Sequence, residues 1–321
     1  MTFTQQVKKE LSILPINVKT SKSELSAIFR LNGIYHLGTA VGNTLEVQTQ
    51  NPASARRTYQ LLSQTYEADI QTNIERGGSA KIFGLHRYGV ITMKQADQIL
   101  ADIQLDPFSS DRRVPEVFLN SQAKQQAFLR SAFLSTGSVN APNSKNYHLE
   151  ISAADEDLIE QIFSIMNNRN FNLGAKIADR RNKLIVYLKT GERISDFLSI
   201  IQATSSMLHF EDARIMSDMR NSANRLANAD NANVTRMAEA AERQYEAMDF
   251  LRQQNRLDNL PEKLKIVADL RLKNPEASLS DLAGMIEGQE LTKSGINHRM
   301  RKLMQIVKEL NHKKSLTFLD H

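Results

Sequence analysis

The nonapeptide LSAIFRLNG at Leu25–Gly33 has a counterpart, LRSAFLSTG at Leu129–Gly137, 104 positions further along the 321-residue chain. Both stretches are apolar and end at a glycine, a residue typical of a helix C-terminal cap. Each therefore predicts a short helix that ends at its glycine. Small residues, which let two helices cross closely, occur in both stretches: Ser26, Ala27, Ser131 and Ala132.

The sequence after each nonapeptide repeats as well. The segments LEVQT at Leu45–Thr49 and HLEIS at His148–Ser152 alternate with period two, which is typical of half-buried strands. A helix, two strands and another helix follow in both halves. They are predicted at residues 53–66, 69–75, 81–88 and 94–103, and at 157–168, 175–181, 184–189 and 194–203. We therefore predict one pseudo-twofold α+β domain over residues 20–207.

Composition limits the class of protein. The chain has 321 residues, which is longer than a domain with a single hydrophobic core usually is, so we expect two domains. Hydrophobic residues make up 41% of the chain, enough to form such cores. The absence of cysteine excludes disulfides and thiolate metal sites. The N-terminal segment predicts an amphipathic helix with Phe3, Val7 and Leu11 on one side. No apolar run reaches the roughly 20 residues that span a bilayer, so we expect a cytoplasmic protein without membrane contact. We also expect no cofactor and no metal.

The C-terminal part carries the densest positive charge. Residues 292–314 hold seven basic residues against one acid, Glu309, in a chain of formal net charge +5. This density indicates an acidic partner. Apolar residues recur there at spacings of four and three, which predicts one buried face of a helix. They are Ile296, Met300, Leu303, Val307 and Leu310.

Two further helix signals precede this basic helix. Ser278 and Asp281 form the Ser-x-x-acid signature of a helix start. Before them, LPEKLKIVADLRLKNPEA predicts a helix that starts at Pro261 and ends before Pro275. Three helices in order, the last one basic, predict an all-α helix-turn-helix domain. The connection at 287–291 is longer than the usual turn of about three to four residues.

A recognition helix places its N-terminal residues in the major groove, where arginine pairs with guanine and asparagine with adenine. The residues assigned to base contact are Ser294, Asn297, His298 and Arg301. Lysines and arginines also neutralise phosphates. The residues assigned to phosphate are Lys293, Arg299, Lys302 and Lys308. The alternative for any one of them is a solvated position on a basic helix face.

Between the two domains, residues 210–251 form a polar segment without glycine or proline, which predicts a helix rather than a flexible linker. Its asparagines are unusual, because asparagine competes for backbone hydrogen bonds in a helix. We favour interdomain hydrogen bonding or helix capping for them and keep a second nucleic-acid surface as the alternative. They are Asn221, Asn224, Asn228, Asn231 and Asn233, interleaved with Arg214, Arg220 and Arg225.

The paired nonapeptides resemble the LAGLIDADG helices of homing endonucleases. In that family an acid precedes the final glycine of each helix, and the two acids hold the divalent metals that drive phosphodiester hydrolysis. Here these positions are Asn32 and Thr136. A neutral amide and a hydroxyl do not replace two carboxylates, so the resemblance implies the fold with degenerate metal positions. Glu46 and Glu150, at equivalent strand positions, are the remaining candidates for displaced ligands.

Longer stretches are similar to the WhiA family of DNA-binding regulators in Gram-positive bacteria. They are STGSVNAP with YHLEIS at 135–152, MRNSANRLANADNAN at 219–233, and LPEKLKIVADLRLKNPEASLSDLAGMI with TKSGINHRMRKL at 260–303. The resemblance covers essentially the full chain, and one departure is Ala229, where cysteine would be expected. It implies a degenerate homing-endonuclease fold joined to a helix-turn-helix. It also implies regulation of transcription linked to cell division, chromosome segregation and, in spore formers, sporulation.

These observations predict a non-catalytic, nucleoid-associated regulator whose partner is double-stranded DNA. We expect a LAGLIDADG-like domain with its N-terminal helix at residues 1–207, a helical linker at 208–257 and a helix-turn-helix domain at 258–321. The internal pseudo-twofold removes the need for a dimer in the first domain, so we expect a monomer. Two other classes stay open. One is an adaptor that binds other transcription or division regulators through the ancestral sheet, and the less favoured one is a metal-dependent DNA endonuclease.

Overall fold

The computed structural model describes residues 1–40, 42–76, 86–144, 146–180, 183–286 and 292–317, with side chains up to residue 311. It forms two compact units, Met1–Asp218 and Met219–His321. Among the described helices, none is long and apolar enough to cross a membrane.

The first unit repeats one arrangement of helices and strands. After α1 (Phe3–Ser12), the first half comprises α2 (Val18–Asn32), β1 (Gly33–Thr39), β2 (Gly42–Thr49), α3 (Pro52–Tyr66), β3 (Ile70–Arg76), β4 (His86–Thr92) and α4 (Ala96–Asp102). The second half comprises α5 (Gln122–Thr136), β5 (Ser138–Val139), β6 (Leu149–Ala153), α6 (Glu156–Met166), β7 (Lys176–Arg180), β8 (Lys183–Leu188) and α7 (Gly191–Ile200). The order confirms the duplication predicted from the two nonapeptides.

Each half forms a four-stranded antiparallel sheet. The strand orders are β1-β2-β4-β3 and β5-β6-β8-β7, which are the same arrangement. The two alternating segments lie in β2 and β6, as predicted. Glu46 pairs with Ile91 and Glu150 with Tyr187, so the two glutamates occupy equivalent places in the two sheets. The unit therefore has the predicted pseudo-twofold α+β fold.

One strand differs from its prediction. The sequence predicts a strand at residues 81–88, but β4 runs from His86 to Thr92, and residues 81–85 lie outside the described part of the chain. The strand continues beyond the predicted end because Val90, 1% exposed, joins the core and pairs with Val47. The other elements predicted after each nonapeptide agree with the structure to within three residues at each end. The two nonapeptide helices are longer than predicted, because α2 and α5 begin seven residues before Leu25 and Leu129.

Helices α2 and α5 pack along each other, as the nonapeptides predict. The small residues in both are completely buried: Ser26, Ala27, Ser131 and Ala132. The amphipathic helix α1 is also confirmed, because Phe3, Val7 and Leu11 belong to the core that includes much of α5.

The glycines that end α2 and α5 have a different role from the one predicted. Gly33 (φ −78°, ψ 140°) and Gly137 (φ −71°, ψ 149°) follow the helices, but in extended conformation rather than in the left-handed conformation of a typical glycine cap. A Cβ at Gly33 would lie 2.4 Å from the carbonyl oxygen of Phe29, and one at Gly137 would lie 2.7 Å from Cα of Phe133. Lack of space, not a positive φ, therefore favours glycine here.

A buried ionic network joins the two halves of the unit. Glu24 of α2 accepts hydrogen bonds from Arg57 of α3 and from Arg130 of α5. All three side chains are at most 7% exposed. The hydroxyl of Ser131 lies 3.2 Å from the same carboxylate, and Arg130 also donates to Gln202 at 2.8 Å. One carboxylate is thus shared by both halves.

The second unit is helical. The 50-residue helix α8 (Thr204–Gln253) begins in the first unit and ends in the second. It is followed by a 3-10 turn (Leu257–Asn259), α9 (Glu262–Lys273), α10 (Leu279–Gly284) and α11 (Lys293–Thr317). These helices confirm the three that the sequence predicts. The core of this unit consists of Ala247, Met248, Leu251, Val267, Ala268, Leu282, Ile296, Met300, Leu303 and Val307.

Candidate functional site

Helix α11 has one buried face and one exposed basic face. Ile296, Met300, Leu303 and Val307 are buried and Leu310 is half-buried, which confirms the predicted apolar stripe. Six of the residues assigned to DNA are exposed: Lys293, Ser294, His298, Arg301, Lys302 and Lys308. The other two, Asn297 and Arg299, are half-buried.

The helical period places several of the residues assigned to DNA contact on one face of α11. At about 3.6 residues per turn, Ser294, His298, Arg301 and Lys308 share the face opposite the apolar stripe. Lys293 and Arg299 fall on the two flanks of that face. Within the described part of the chain, none of the basic residues assigned to DNA forms an ion pair. No described carboxylate therefore neutralises their charges.

The start of α10 is fixed by a capping box, as predicted. The Ser278 hydroxyl accepts a hydrogen bond from the Asp281 amide at 3.2 Å, and the Asp281 carboxylate accepts one from the Ser278 amide at 3.0 Å. These bonds with Ser278 lower the pKa of the Asp281 carboxyl. At the start of α11, the Thr292 hydroxyl accepts from the Gly295 amide at 3.3 Å. The long connection at 287–291 lies outside the described residues.

A buried arginine that the sequence analysis did not single out positions the chain before α10. Arg271, 1% exposed, donates to the carbonyl oxygens of Asn274, Pro275 and Ala277 and to the side chain of Gln244. Burial lowers the pKa of its guanidinium. By binding three carbonyls of this loop, Arg271 fixes the path between α9 and α10.

The degenerate metal positions line a polar pocket in the first unit. Asn32 and Thr136, the last residues of α2 and α5, border a cavity of about 400 Å³ together with Lys8 of α1. The Asn32 amide donates to the carbonyl oxygen of Gln48 at 3.4 Å, and the buried Thr136 hydroxyl has no hydrogen-bond partner among the described residues. No group of three metal-ligating side chains occurs in the part of the chain that is described.

Glu46 and Glu150, the candidate displaced ligands, have other partners. The Glu46 carboxylate lies 2.8 Å from Nε2 of His36 and accepts from Gln48 at 3.1 Å. Glu150 lies 2.7 Å from Nε2 of His148 and accepts from Arg180 at 2.9 Å. Burial raises the pKa of Glu150, but bonds with His148 and the nearby charges outweigh this, so its pKa is lowered. Neither glutamate lines the pocket at Asn32 and Thr136.

The asparagine-rich segment lies in the interior of α8, so the helix-capping interpretation is wrong. Its five asparagines are all exposed, and their side chains make no hydrogen bond with a described residue. The predicted hydrogen bonding is therefore not observed within the described residues. Arg220 and Arg225 are exposed in the same stretch, so the alternative of a second nucleic-acid surface stays open.

The fold and these sites define a protein class in which a LAGLIDADG-like domain without the paired acids accompanies a helix-turn-helix domain. Residues 18–106 match the WhiA N-terminal LAGLIDADG-like domain, 125–220 the WhiA LAGLIDADG-like domain and 223–307 the WhiA C-terminal helix-turn-helix domain. The chain belongs to the WhiA family.

Individual relatives agree with this membership. The chain is 42% identical over 308 residues to the probable cell division protein WhiA of Lacticaseibacillus paracasei, covering 95% of this chain and 96% of that protein. It is 41% identical over 321 residues to the protein of the same name in Ligilactobacillus salivarius, covering 99% and 100%. The crystal structure of full-length WhiA from Thermatoga maritima superposes with a TM-score of 0.59 at 25% identity, covering 96% of this chain and 99% of that one.

Proposed function

We propose that the chain is a sequence-selective DNA-binding regulator of transcription that acts in cell division and does not cut DNA. The observation that carries this proposal is the exposed basic face of α11, where Arg301, Lys302 and Lys308 form no ion pair with a described residue. Cations left free by the protein are available to the phosphates of DNA. The match of residues 223–307 to a helix-turn-helix domain supports the same role.

Within this face, we assign the shorter polar side chains and Arg301 to base edges. Arginine can donate two hydrogen bonds to guanine, and the half-buried Asn297 carries the amide that can pair with adenine. Lys293 and Arg299, on the flanks, are positioned for the phosphates on either side of a groove. The DNA-reading domain is then residues 258–321, with 208–257 as a helical linker whose last turns pack into the core of that domain through Ala247, Met248 and Leu251.

We propose that the chain has no nuclease activity because Asn32 and Thr136 stand where this fold needs carboxylates. Metal-assisted hydrolysis needs carboxylates that hold the cations against water and phosphate. The amide and hydroxyl at these positions carry no charge, and the lysine beside them, Lys8, adds positive charge where a metal would have to bind. The relatives are named for cell division. We extend the role to chromosome segregation and, in spore formers, sporulation, through the genes that the protein regulates.

The test is DNA binding by the full-length protein at several salt concentrations, with duplexes selected from a random pool. The triple variant Arg301→Ala, Lys302→Ala, Lys308→Ala should lose most of its affinity. Its plot of log K against log salt should flatten by about 2 units, since Lys302 and Lys308 are the two phosphate contacts removed and roughly 0.9 counterion is released per contact. The control is the variant Arg220→Ala, Arg225→Ala, which removes two exposed arginines of α8 and so tests the alternative nucleic-acid surface. If the control lost binding and the triple variant kept it, α11 would not be the DNA-reading helix.

A further inference from the structure

The polar pocket at the ends of α2 and α5 contains a buried cation. Lys8 is only 6% exposed. Its ammonium forms no hydrogen bond or ion pair with a described residue. Lys8 Nζ lies over the ring of Phe133, 5.9 Å from the ring centre. Burial lowers the pKa of Lys8 to about 8, so the ammonium stays mostly protonated at neutral pH. A buried charge without a partner is costly, and such a site favours an anion that would pair with it.

Other groups around the pocket also lack partners. The Thr136 hydroxyl is buried and has no partner among the described residues, so its proton is available to a ligand. Arg87 is an exposed residue that borders the pocket. Its guanidinium forms no ion pair with a carboxylate in the described part of the chain. The rest of the lining consists of amides and hydroxyls, with no carboxylate among the described residues. The pocket thus offers two cations and several neutral donors to one ligand.

The helix ends around the pocket do not reverse this charge. Asn32 and Thr136 end α2 and α5, and each helix C-terminus carries a partial charge of about −0.5. Asn51, the N-cap of α3, also borders the pocket and contributes the opposite partial charge, about +0.5. The three helix ends together leave a net partial charge of about −0.5. The two formal positive charges of Lys8 and Arg87 outweigh it, so the electrostatic field in the pocket favours an anion.

We propose that this pocket binds the phosphate group of a ligand, with Lys8 as its buried ion-pair partner and Thr136 and Arg87 as further donors. A phosphate group presents three strong acceptor oxygens, which suits a set of several donors around one cation better than a carboxylate does. The cavity volume of about 400 Å³ lies within the range of small-ligand sites, so it accommodates more than the phosphate alone. The proposal does not depend on DNA binding by α11.

The test uses the full chain in buffer free of phosphate and sulfate. Inorganic phosphate and adenosine monophosphate are titrated by calorimetry, and thermal unfolding is followed with each. Lys8→Met removes the buried charge and keeps the length of the side chain. The matched control is Lys9→Met on the adjacent, exposed position of α1. We expect binding to the native chain and to the Lys9→Met variant, and a loss of at least about tenfold in affinity for Lys8→Met.

A third probe distinguishes the two sources of a phosphate group. A short DNA duplex is titrated into a chain that carries Arg301→Ala and Lys302→Ala, with and without Lys8→Met. If the duplex binds only when Lys8 is present, and neither inorganic phosphate nor adenosine monophosphate binds, the phosphate group belongs to the DNA backbone. Binding of a small probe through Lys8 identifies a free phosphorylated compound.

Two results would overturn the proposal. One is that none of the three probes binds the native chain. The other is that Lys8→Met binds every probe as tightly as the native chain does. If Lys8→Met fails to fold, as judged by circular dichroism, the exposed variant Arg87→Ala provides the same comparison. An unchanged affinity of that variant for phosphate would then reject the pocket as the site.

Discussion

Arg57 binds Glu24 through two hydrogen bonds inside the protein, from Nη2 to Oε1 at 2.7 Å and from Nε to Oε2 at 2.9 Å. Both side chains are 0% exposed. Arg130 adds a third bond to Oε1 at 2.8 Å. Burial alone would raise the pKa of Glu24, but the bond from Arg57 and the charge of Arg130 outweigh it, and the pKa lies below its ordinary value. The carboxylate is therefore charged in the folded protein.

Glu24→Gln should destabilise the first unit strongly. The variant leaves two buried arginines without their carboxylate, a loss that typically costs about 3 to 5 kcal/mol. Urea unfolding followed by circular dichroism measures the change. The control is Glu160→Gln, an exposed position on α6, which should stay within about 0.5 kcal/mol of the native chain. Equal stability of the two variants would mean that the network contributes nothing.

The same carboxylate should make stability depend on pH in the acidic range. The pKa of Glu24 is lowered on folding, so the unfolded chain takes up this proton first as the pH falls. The stabilisation is fully present above the ordinary pKa of 4.5 and is lost as the pH falls below it towards the folded value. Urea unfolding between pH 7 and pH 3 measures this loss. The acid-dependent decline should be smaller in Glu24→Gln, and an identical decline would contradict the assignment.

Two neighbouring positions on α11 should behave differently in DNA binding. Arg301→Ala should cost about 1 to 3 kcal/mol on the preferred sequence and much less on unrelated duplexes, because it removes a contact to a base. Lys302→Ala should weaken binding to all sequences alike and reduce the salt slope by about one unit. Fluorescence anisotropy with specific and scrambled duplexes separates the two. The opposite pattern would exchange the two assigned roles.

The chain should not cleave DNA with any divalent metal. Asn32 and Thr136 supply no negative charge, so the carboxylates that would hold a metal in this fold are missing. Incubation of the purified protein with supercoiled and linear DNA in magnesium or manganese is the direct measurement. Nicking that copurifies with the protein and disappears in the Glu46→Gln, Glu150→Gln double variant would restore the endonuclease interpretation.

Lys8→Met should stabilise the protein at neutral pH in the absence of ligand. The shift of the Lys8 pKa from 10.5 to about 8 corresponds to a penalty of about 3 kcal/mol for the buried ammonium. Because the pKa is lowered on folding, this penalty is present below pH 8 and disappears as the pH rises towards 10.5. Thermal unfolding at pH 7 and pH 10 should therefore show a gain that shrinks with pH. A destabilised variant at pH 7 would indicate that Lys8 has a partner within the protein.

Much of the architecture follows from local patterns in the sequence. The repeat at Leu25–Gly33 and Leu129–Gly137 predicts the duplication, and alternation in LEVQT and HLEIS predicts strands at equivalent places. The apolar stripe of α11 is predicted just as directly, because a helix that packs on a core repeats every 3.6 residues. These signals depend only on neighbours along the chain. For the same reason they also predict which side of α11 is exposed.

Features that depend on distant partners were not predictable. Glu24 lies 33 positions from Arg57 and 106 from Arg130, and no local period marks a charged residue as buried. Lys8 follows Val7 on an amphipathic helix, and its burial arises only when α1 packs against other elements of the first unit. Packing between elements decides these cases, and it leaves no period in the sequence.

The position of Arg130 also disfavours the pairing of two like halves from different copies of the chain. At the offset of the repeat, the counterpart of Arg130 is Ser26 and the counterpart of Glu24 is Phe128. Two second halves paired through α5 would bury Arg130 opposite Phe128 without a carboxylate, at a cost of several kcal/mol. Two first halves paired through α2 would have only Ser26 in place of that arginine. Since neither symmetric pairing reproduces the network, a first half is specific for a second half, which disfavours the pairing of like halves from two chains during synthesis.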